Sequence, residues 1–204
     1  MTNKEPLNIA QQLVYVLQQL HPISNDIALF FQKNSLSYTY KKGKHLLKTD
    51  EVCKHLYFLN KGVVRGYIKD AGRDITTWIT SENELVTSIS SFDLQKPAIE
   101  NIQALEDCEL ISMTYKNLQK LYDRFPEFNI VGRKVYQSYY RDAENRALIA
   151  RLTNAEKKYR HFLTVHCHLA NRIPLKYIAS YLGINLETLS RVRKKMASVK
   201  HSST

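Results

Sequence analysis

The sequence predicts an α+β protein: an N-terminal antiparallel β-roll, a long central helix and a C-terminal helix-turn-helix. Three observations predict it. Between Leu36 and Thr114, short segments rich in β-branched and aromatic residues alternate with turn signals, with no helix between them. Glu127–Arg151 runs without proline, and Ile173–Met196 carries the apolar spacing of two short helices about a glycine.

A chain of 204 residues with 44% hydrophobic content can bury a sizeable core and fits one or two domains. No apolar run approaches the roughly 18 residues of a membrane span, and the N-terminus lacks the basic, apolar, small-residue order of a secretion signal. The expectation is a cytoplasmic protein without a membrane partner. Cys53, Cys108 and Cys167 are far apart and form no C-x-x-C pair, so they read as buried or half-buried free thiols. His166, Cys167 and His168, with His161 upstream, lack ligand spacing, because residues two apart point to different helix faces. No metal or cofactor is expected. Neither a nucleophile with a positioned base, nor a phosphate-binding glycine loop, nor a carboxylate pair is evident, so the chain does not read as an enzyme.

Leu7, Ala10, Leu13, Val14, Leu17 and Leu20 fall at helical spacing, and Pro22 ends that helix. Ser24 can cap a second, short helix through Ile27, Phe30 and Phe31. At Leu36 the period changes to two: Leu36, Tyr38 and Tyr40 alternate with Ser37, Thr39 and Lys41, as in a half-buried strand. Further strands are expected at His45–Leu47, His55–Asn60, Val63–Asp70, Asp74–Thr80, Leu85–Ile89, Ile99–Ala104 and Glu109–Thr114. Turn signals such as Lys61-Gly62, Asp70-Ala71-Gly72 and Ser81-Glu82-Asn83 separate them. A short helix, Asn117–Arg124, ends before Pro126 and closes a first domain of residues 1–125.

Within the long helix, Tyr136, Tyr140, Ala143, Ala147 and Ala150 recur at four, three, four, three. That is a coiled-coil seam whose alanines let two helices approach closely, so residues 126–152 read as a spine that also pairs two copies. Packing of the same stripe on the chain's own roll is the alternative. A further helix from Thr153 or Asn154 turns Tyr159, Phe162, Leu163 and Leu169 inward and opens the last domain, residues 153–204.

Pro174 suits a helix entry, where its missing N–H is not needed. Leu175, Ile178, Ala179 and Leu182 then form the inner side of a first helix, and Gly183 supplies the positive φ of a tight turn. Asn185 caps a second helix whose Leu189, Val192 and Met196 face back. With the small Ala179 at the crossing, these demands fit a DNA-reading pair whose second helix enters the major groove N-terminus first. Residues 151–204 hold eleven Lys and Arg against two acids, net +9, whereas the whole chain is 30 minus 19, or +11. Charge so concentrated points to double-stranded DNA as partner. An ordinary basic hairpin, or one attracted to an anionic membrane, would carry the charge without needing the turn glycine and the crossing alanine.

Four segments go further: Leu56–Arg65 (LYFLNKGVVR), Asn83–Leu85 (NEL), Ala104–Leu110 (ALEDCEL) and Asn185–Arg191 (NLETLSR). With the order of roll, connecting helix and helix-turn-helix, they resemble the Crp/Fnr family of bacterial transcription regulators over nearly the whole chain. The resemblance implies a homodimer that reads a two-fold symmetric site with two helices about 34 Å apart. It puts Glu187 and Arg191 at base-reading positions, with Leu186 where the best-known members carry Arg, and Ser190 completes the set. Arg can donate twice to guanine, Glu can accept from cytosine N4, and Leu186 can meet a thymine methyl. Glu187 and Arg191, four apart, could instead pair with each other. Asn185, Thr188, Lys176, Lys194 and Lys195 are expected on phosphates, which position without specifying. The hairpin wing that many members place after the reading helix has no room in Ala197–Thr204.

The family's cyclic-nucleotide pocket uses a Gly-Glu-Leu turn for the ribose and an Arg-Ser/Thr pair for the phosphate. Here Glu84 keeps the acid after Asn83, Ala98 stands where Arg is expected, and Glu100 brings a carboxylate close by. Lys96 could supply a charge but no bidentate fork, so cyclic AMP or cyclic GMP should bind poorly. Any effector is then an unidentified small molecule, and RNA polymerase is a further partner in keeping with the resemblance. The competing reading is a small-molecule receptor or protein-interaction module in which the roll is the working part and the basic C-terminus docks a partner.

Overall fold

A computed structural model describes the backbone of residues 6–201 and the side chains of residues 9–198. Two helices, α1 (Pro6–Leu20) and α2 (Asn25–Asn34), precede the strands β1 (Leu36–Tyr40), β2 (His45–Leu47), β3 (His55–Lys61), β4 (Val64–Asp70), β5 (Arg73–Thr80) and β6 (Glu84–Val86). After the short α3 (Ile89–Leu94) come β7 (Asn101–Ala104) and β8 (Cys108–Thr114). The chain ends with α4 (Tyr115–Arg124), α5 (Phe128–Arg151), α6 (Ala155–His166), α7 (Leu175–Leu182) and α8 (Leu186–His201).

The strands form two four-stranded antiparallel sheets, ordered β1-β8-β3-β6 and β2-β7-β4-β5. Both feed one core, with Leu59, Val64, Ile102 and Leu110 at 0 to 1% exposure, and the apolar sides of α1, α2 and α4 extend it. Leu7 belongs to the expected inner side of α1, but its side chain lies outside the described residues. Phe128, Val131 and Val135 bring the first half of α5 onto this core. A second core gathers Ile149, Tyr159, Phe162, Leu169, Ile173, Ile178, Leu182 and Leu189, and it also contains Val63, Ile79 and Leu105 of the roll. The C-terminal helices therefore share buried surface with the roll they follow.

Four expectations need correction. The strand expected at Leu85–Ile89 is only Glu84–Val86, and the chain then turns into α3, whose six residues are too few to register a helical period. Leu36 is 54% exposed rather than half-buried, because β1 is an edge strand with a neighbour on one side only. The helix expected to run through Leu169 stops at His166 and tightens into a 3-10 turn, Cys167–Leu169, that still buries Leu169. Cys53 and Cys108 are buried free thiols, but Cys167 is exposed.

Candidate nucleic-acid interface

The turn between α7 and α8 is closed by its own backbone. Gly183 has φ +61°, its N–H donates to the Ser180 carbonyl, and the Ile184 N–H reaches back to Ala179 at 3.1 Å. That pair of bonds is a Schellman end, which a β-carbon would strain through the left-handed φ. The Asn185 side-chain oxygen accepts from the Thr188 N–H at 2.8 Å, so that oxygen is spent as the cap of α8. Ile178, Leu182 and Leu189 are 0% exposed and Ala179 3%, so the inner sides of the two helices lock together as their spacing requires.

What remains outside is the opposite face of α8. Leu186, Glu187, Ser190, Arg191 and Lys194 are all exposed, and the roll covers none of them. Arg191 donates to Thr188 Oγ1 at 3.2 Å and makes no ion pair with Glu187 among the described residues, which leaves the Glu187 carboxylate to solvent. Lys176 is exposed at the start of α7, its Nζ 4.9 Å from the Tyr177 ring.

Much of the domain's positive charge is committed elsewhere, which composition alone could not reveal. Lys158 is 6% exposed and donates to two helix-end carbonyls, Leu182 at 2.8 Å and Ala150 at 3.3 Å. An ammonium at two helix C-termini meets their partial negative charge. Lys195 and Arg160 both sit on Glu156, at 2.9 and 2.8 Å, so Lys195 reaches a phosphate only by leaving that carboxylate. Arg172 leaves the domain altogether. Its guanidinium spans Glu82 (2.9 and 2.6 Å) and Glu106 (3.2 and 2.7 Å), two turns at one end of the roll. Beside it the Glu82 carboxyl is held down to about 2, chiefly by that guanidinium.

Further contacts seat α7 on the roll. Ser180 Oγ accepts from the Thr76 N–H of β5 at 2.9 Å and donates to the Asp74 carbonyl at 3.1 Å. Arg65, 2% exposed on β4, lies between the rings of Tyr67 and Tyr177, each centroid 4.0 Å away. Its donors are met by Gln103, Thr76 and Asp74. His168 Nε2 and Ser81 Oγ are 2.9 Å apart. Burying Val63, Ile79 and Leu105 in the same contact contributes roughly 1.5–3 kcal/mol for each large side chain.

Inside the roll the expected pocket residues are engaged separately. Trp78 lies flush on Gly66, where an added Cβ would come 2.1 Å from the indole, and its Nε1 donates to Glu100 at 2.9 Å. Glu84 accepts from the Tyr139 hydroxyl of α5 at 2.8 Å. Ala98 is buried, its backbone bonded to the turn at Asp50 and Glu51 at 2.9 Å, while Lys96 is exposed. No hydrogen bond or ion pair joins any two of these four among the described residues.

A family profile described as the cyclic nucleotide-binding domain matches residues 38–125, from β1 through α4. Over 164 residues the chain is 25% identical to the fumarate and nitrate reduction regulatory protein of Yersinia pestis, covering 74% of this chain and 65% of that one. The protein of the same name from Shigella dysenteriae is 24% identical over the same length. FixK2 from Bradyrhizobium japonicum has this fold, with TM-score 0.71 at 20% identity over 81% of this chain and 86% of its own. So has the catabolite activator protein of Thermus thermophilus, with TM-score 0.55 at 20% identity over 91% and 88%. The chain is thus similar in sequence to these regulatory proteins and shares the fold of FixK2 and the catabolite activator protein. It spans 65% of the length of the curated relatives it matches.

Against the Crp/Fnr pattern, Asn83 in place of glycine is intelligible: its φ is +68°, and Asn is the residue that tolerates the left-handed region best after Gly. Along α5 the seam residues Tyr136, Tyr140, Ala143, Ala147 and Ala150 all face solvent, with Tyr136 50% and Tyr140 67% exposed. Of their side chains, only that of Tyr136 makes a hydrogen bond among the described residues, its hydroxyl donating to Asp93 of α3 at 3.0 Å. The stripe does not pack on the chain's own roll; Tyr139, half-buried beside it, does that work through Glu84 and Leu85. Arg65, Lys158, Arg172 and Ser180 were not legible as functional residues, because each acts on a partner distant in sequence.

Proposed function

We propose that this protein is a cytoplasmic, sequence-specific DNA-binding transcription regulator of the Crp/Fnr family that works as a homodimer. The observation that carries the reading is the uncovered N-terminal face of α8, with Leu186, Glu187, Ser190 and Arg191 exposed beside Lys194 and Lys176. Arg191 pairs with a guanine edge, Glu187 with a cytosine amino group and Leu186 with a thymine methyl. Lys176, Thr188, Lys194 and the free amide of Asn185 hold phosphates, and Lys195 joins them if it leaves Glu156. The exposed seam of α5 brings two copies together, with residues 1–125 as the roll, 126–152 as the pairing helix and 153–204 as the reading domain. Selection of binding sites from a randomised duplex pool tests this. An inverted repeat is expected, degraded at one base pair per half-site by Arg191→Ala; no enrichment would contradict it.

Control by cyclic AMP is not part of the proposal. The family's phosphate-holding guanidinium is replaced by buried Ala98, and Glu100 puts a carboxylate beside Trp78. Trp78 is the one tryptophan, so its fluorescence reports on that spot directly. Cyclic AMP and cyclic GMP at millimolar concentration are expected to leave the emission unchanged; a saturable shift at micromolar concentration would refute this.

A further inference from the structure

We propose that the roll acts as a fixed dock that aims its own reading helix, and that Arg172, Tyr177 and Ser180 are positioning residues which set the spacing of the half-sites the dimer accepts. This rests on the DNA-reading function above and adds the device that orients it. Among the described residues the reading helix α8 packs chiefly on α6 and α7, so its direction relative to the roll is handed on by α7. On its other side α7 lies along β5, pinned by Ser180 to the Thr76 N–H and the Asp74 carbonyl at 2.9 and 3.1 Å. Tyr177, from the same face, covers the buried guanidinium of Arg65 at 4.0 Å.

Ahead of α7, Arg172 closes two carboxylate forks at once, on the β5–β6 turn through Glu82 and on the β7–β8 turn through Glu106. Two forks on one planar guanidinium fix direction as well as distance, which a single exposed ion pair does not. Glu82 is itself held by the Gly62 N–H at 2.9 Å, so the arginine grips a turn that is already anchored. At the far end, Lys158 ties the last carbonyl of α7 to the end of α5. Between these points lies the apolar contact of Val63, Ile79 and Leu105 with the C-terminal core.

A head held in this way cannot swing on the loop that follows α5 without uncovering buried apolar surface and parting both forks. Nor does the dock need a small molecule to form, since the roll's interior is filled at Gly66 by Trp78 and closed on Glu100. The separation of two heads in a dimer is then a property of two rigid protomers. Loosening the dock should cost spacing selectivity and leave the affinity of one head for one half-site as it was, because Arg172, Tyr177 and Ser180 lie off the DNA-facing side of α8.

The test uses the full chain and the selected operator, alongside operators whose half-sites are moved two base pairs closer or apart, and an isolated half-site. Wild type is expected to discriminate against the altered spacings by at least about tenfold, within the usual range of coupling between two sites. Arg172→Ala and, separately, Ser180→Ala are expected to flatten that discrimination at unchanged half-site affinity. Both should also speed hydrogen exchange in β5 without DNA present, with circular dichroism confirming the fold. Retention of wild-type spacing selectivity in both variants would overturn the aiming role while leaving the DNA reading intact. Wild type that binds no duplex at all would overturn the DNA reading and the aiming role with it.

Discussion

The guanidinium of Arg65 in β4 lies 4.0 Å from the ring of Tyr177 in α7, so the roll and the helix-turn-helix meet over a charge that is 98% withdrawn from water, 2% remaining exposed. A buried cation is tolerated only when its donors are satisfied, and here Gln103, Thr76 and Asp74 satisfy them from within the roll. Tyr177 contributes the lid. The contact makes the position of the helix-turn-helix a feature of the fold rather than of the loop between α5 and α6.

Lys158 holds the C-terminal core together from inside. Lys158→Met keeps the stem but leaves the Leu182 and Ala150 carbonyls without their ammonium. A loss of about 1–3 kcal/mol is expected, the cost of an unsatisfied buried group. Urea unfolding followed by circular dichroism would measure it, and an unchanged midpoint would show that water replaces the lysine.

The alanine stripe on α5 should be where two copies meet. Ala147→Glu puts a carboxylate on an exposed position of the seam, where it can pair with Arg151 on its own helix and so leave the protomer's stability within about 0.5 kcal/mol. In a dimer the two copies would confront like charges at close approach. Sedimentation equilibrium is expected to return the dimer mass for the wild type and the monomer mass for the variant.

Phosphate contacts reveal themselves through salt. Lys194 is exposed with no ion pair among the described residues, so Lys194→Ala is expected to weaken every duplex alike and to reduce the slope of log affinity against log salt by about 1. Lys195→Ala should change the slope less, because Glu156 already takes that ammonium at 2.9 Å.

His166 makes stability depend on pH. Burial against Phe162 and Tyr181 lowers its pKa to about 4 from 6.5, with His168, Arg146 and His161 adding to the effect. A base whose folded pKa is depressed binds its proton first in the unfolded chain, so stability is complete above pH 6.5 and falls as pH drops towards 4. The loss is of order 3 kcal/mol at most. Thermal melts of His166→Phe across that window are expected to show a flatter decline than wild type.

The parts of the fold that were legible in the sequence are those governed by local rules. Period-two alternation, Pro22 and Pro126 as breakers, the left-handed Gly183 and the cap at Asn185 all depend on residues within a turn of one another. The α5 stripe was legible for the same reason. What was not legible is pairing across the chain. Arg172 and Glu82 are 90 residues apart, Ser180 and Thr76 104, and no spacing rule joins them. Charge counting likewise adds Lys158 and Arg172 to the C-terminal total and places Lys195 on phosphate, and only their carbonyl and carboxylate partners show how far they are spoken for. The helix α3 went unread because six residues containing two serines and an aspartate carry too little pattern.

The most direct test of the central claim is the stoichiometry of the chain on its selected duplex, measured by native mass spectrometry together with the half-site separation. Two chains per duplex are expected, with half-site centres about 10–10.5 base pairs apart, one turn of the double helix. One chain per duplex, or tight binding without any repeated half-site, would contradict the account.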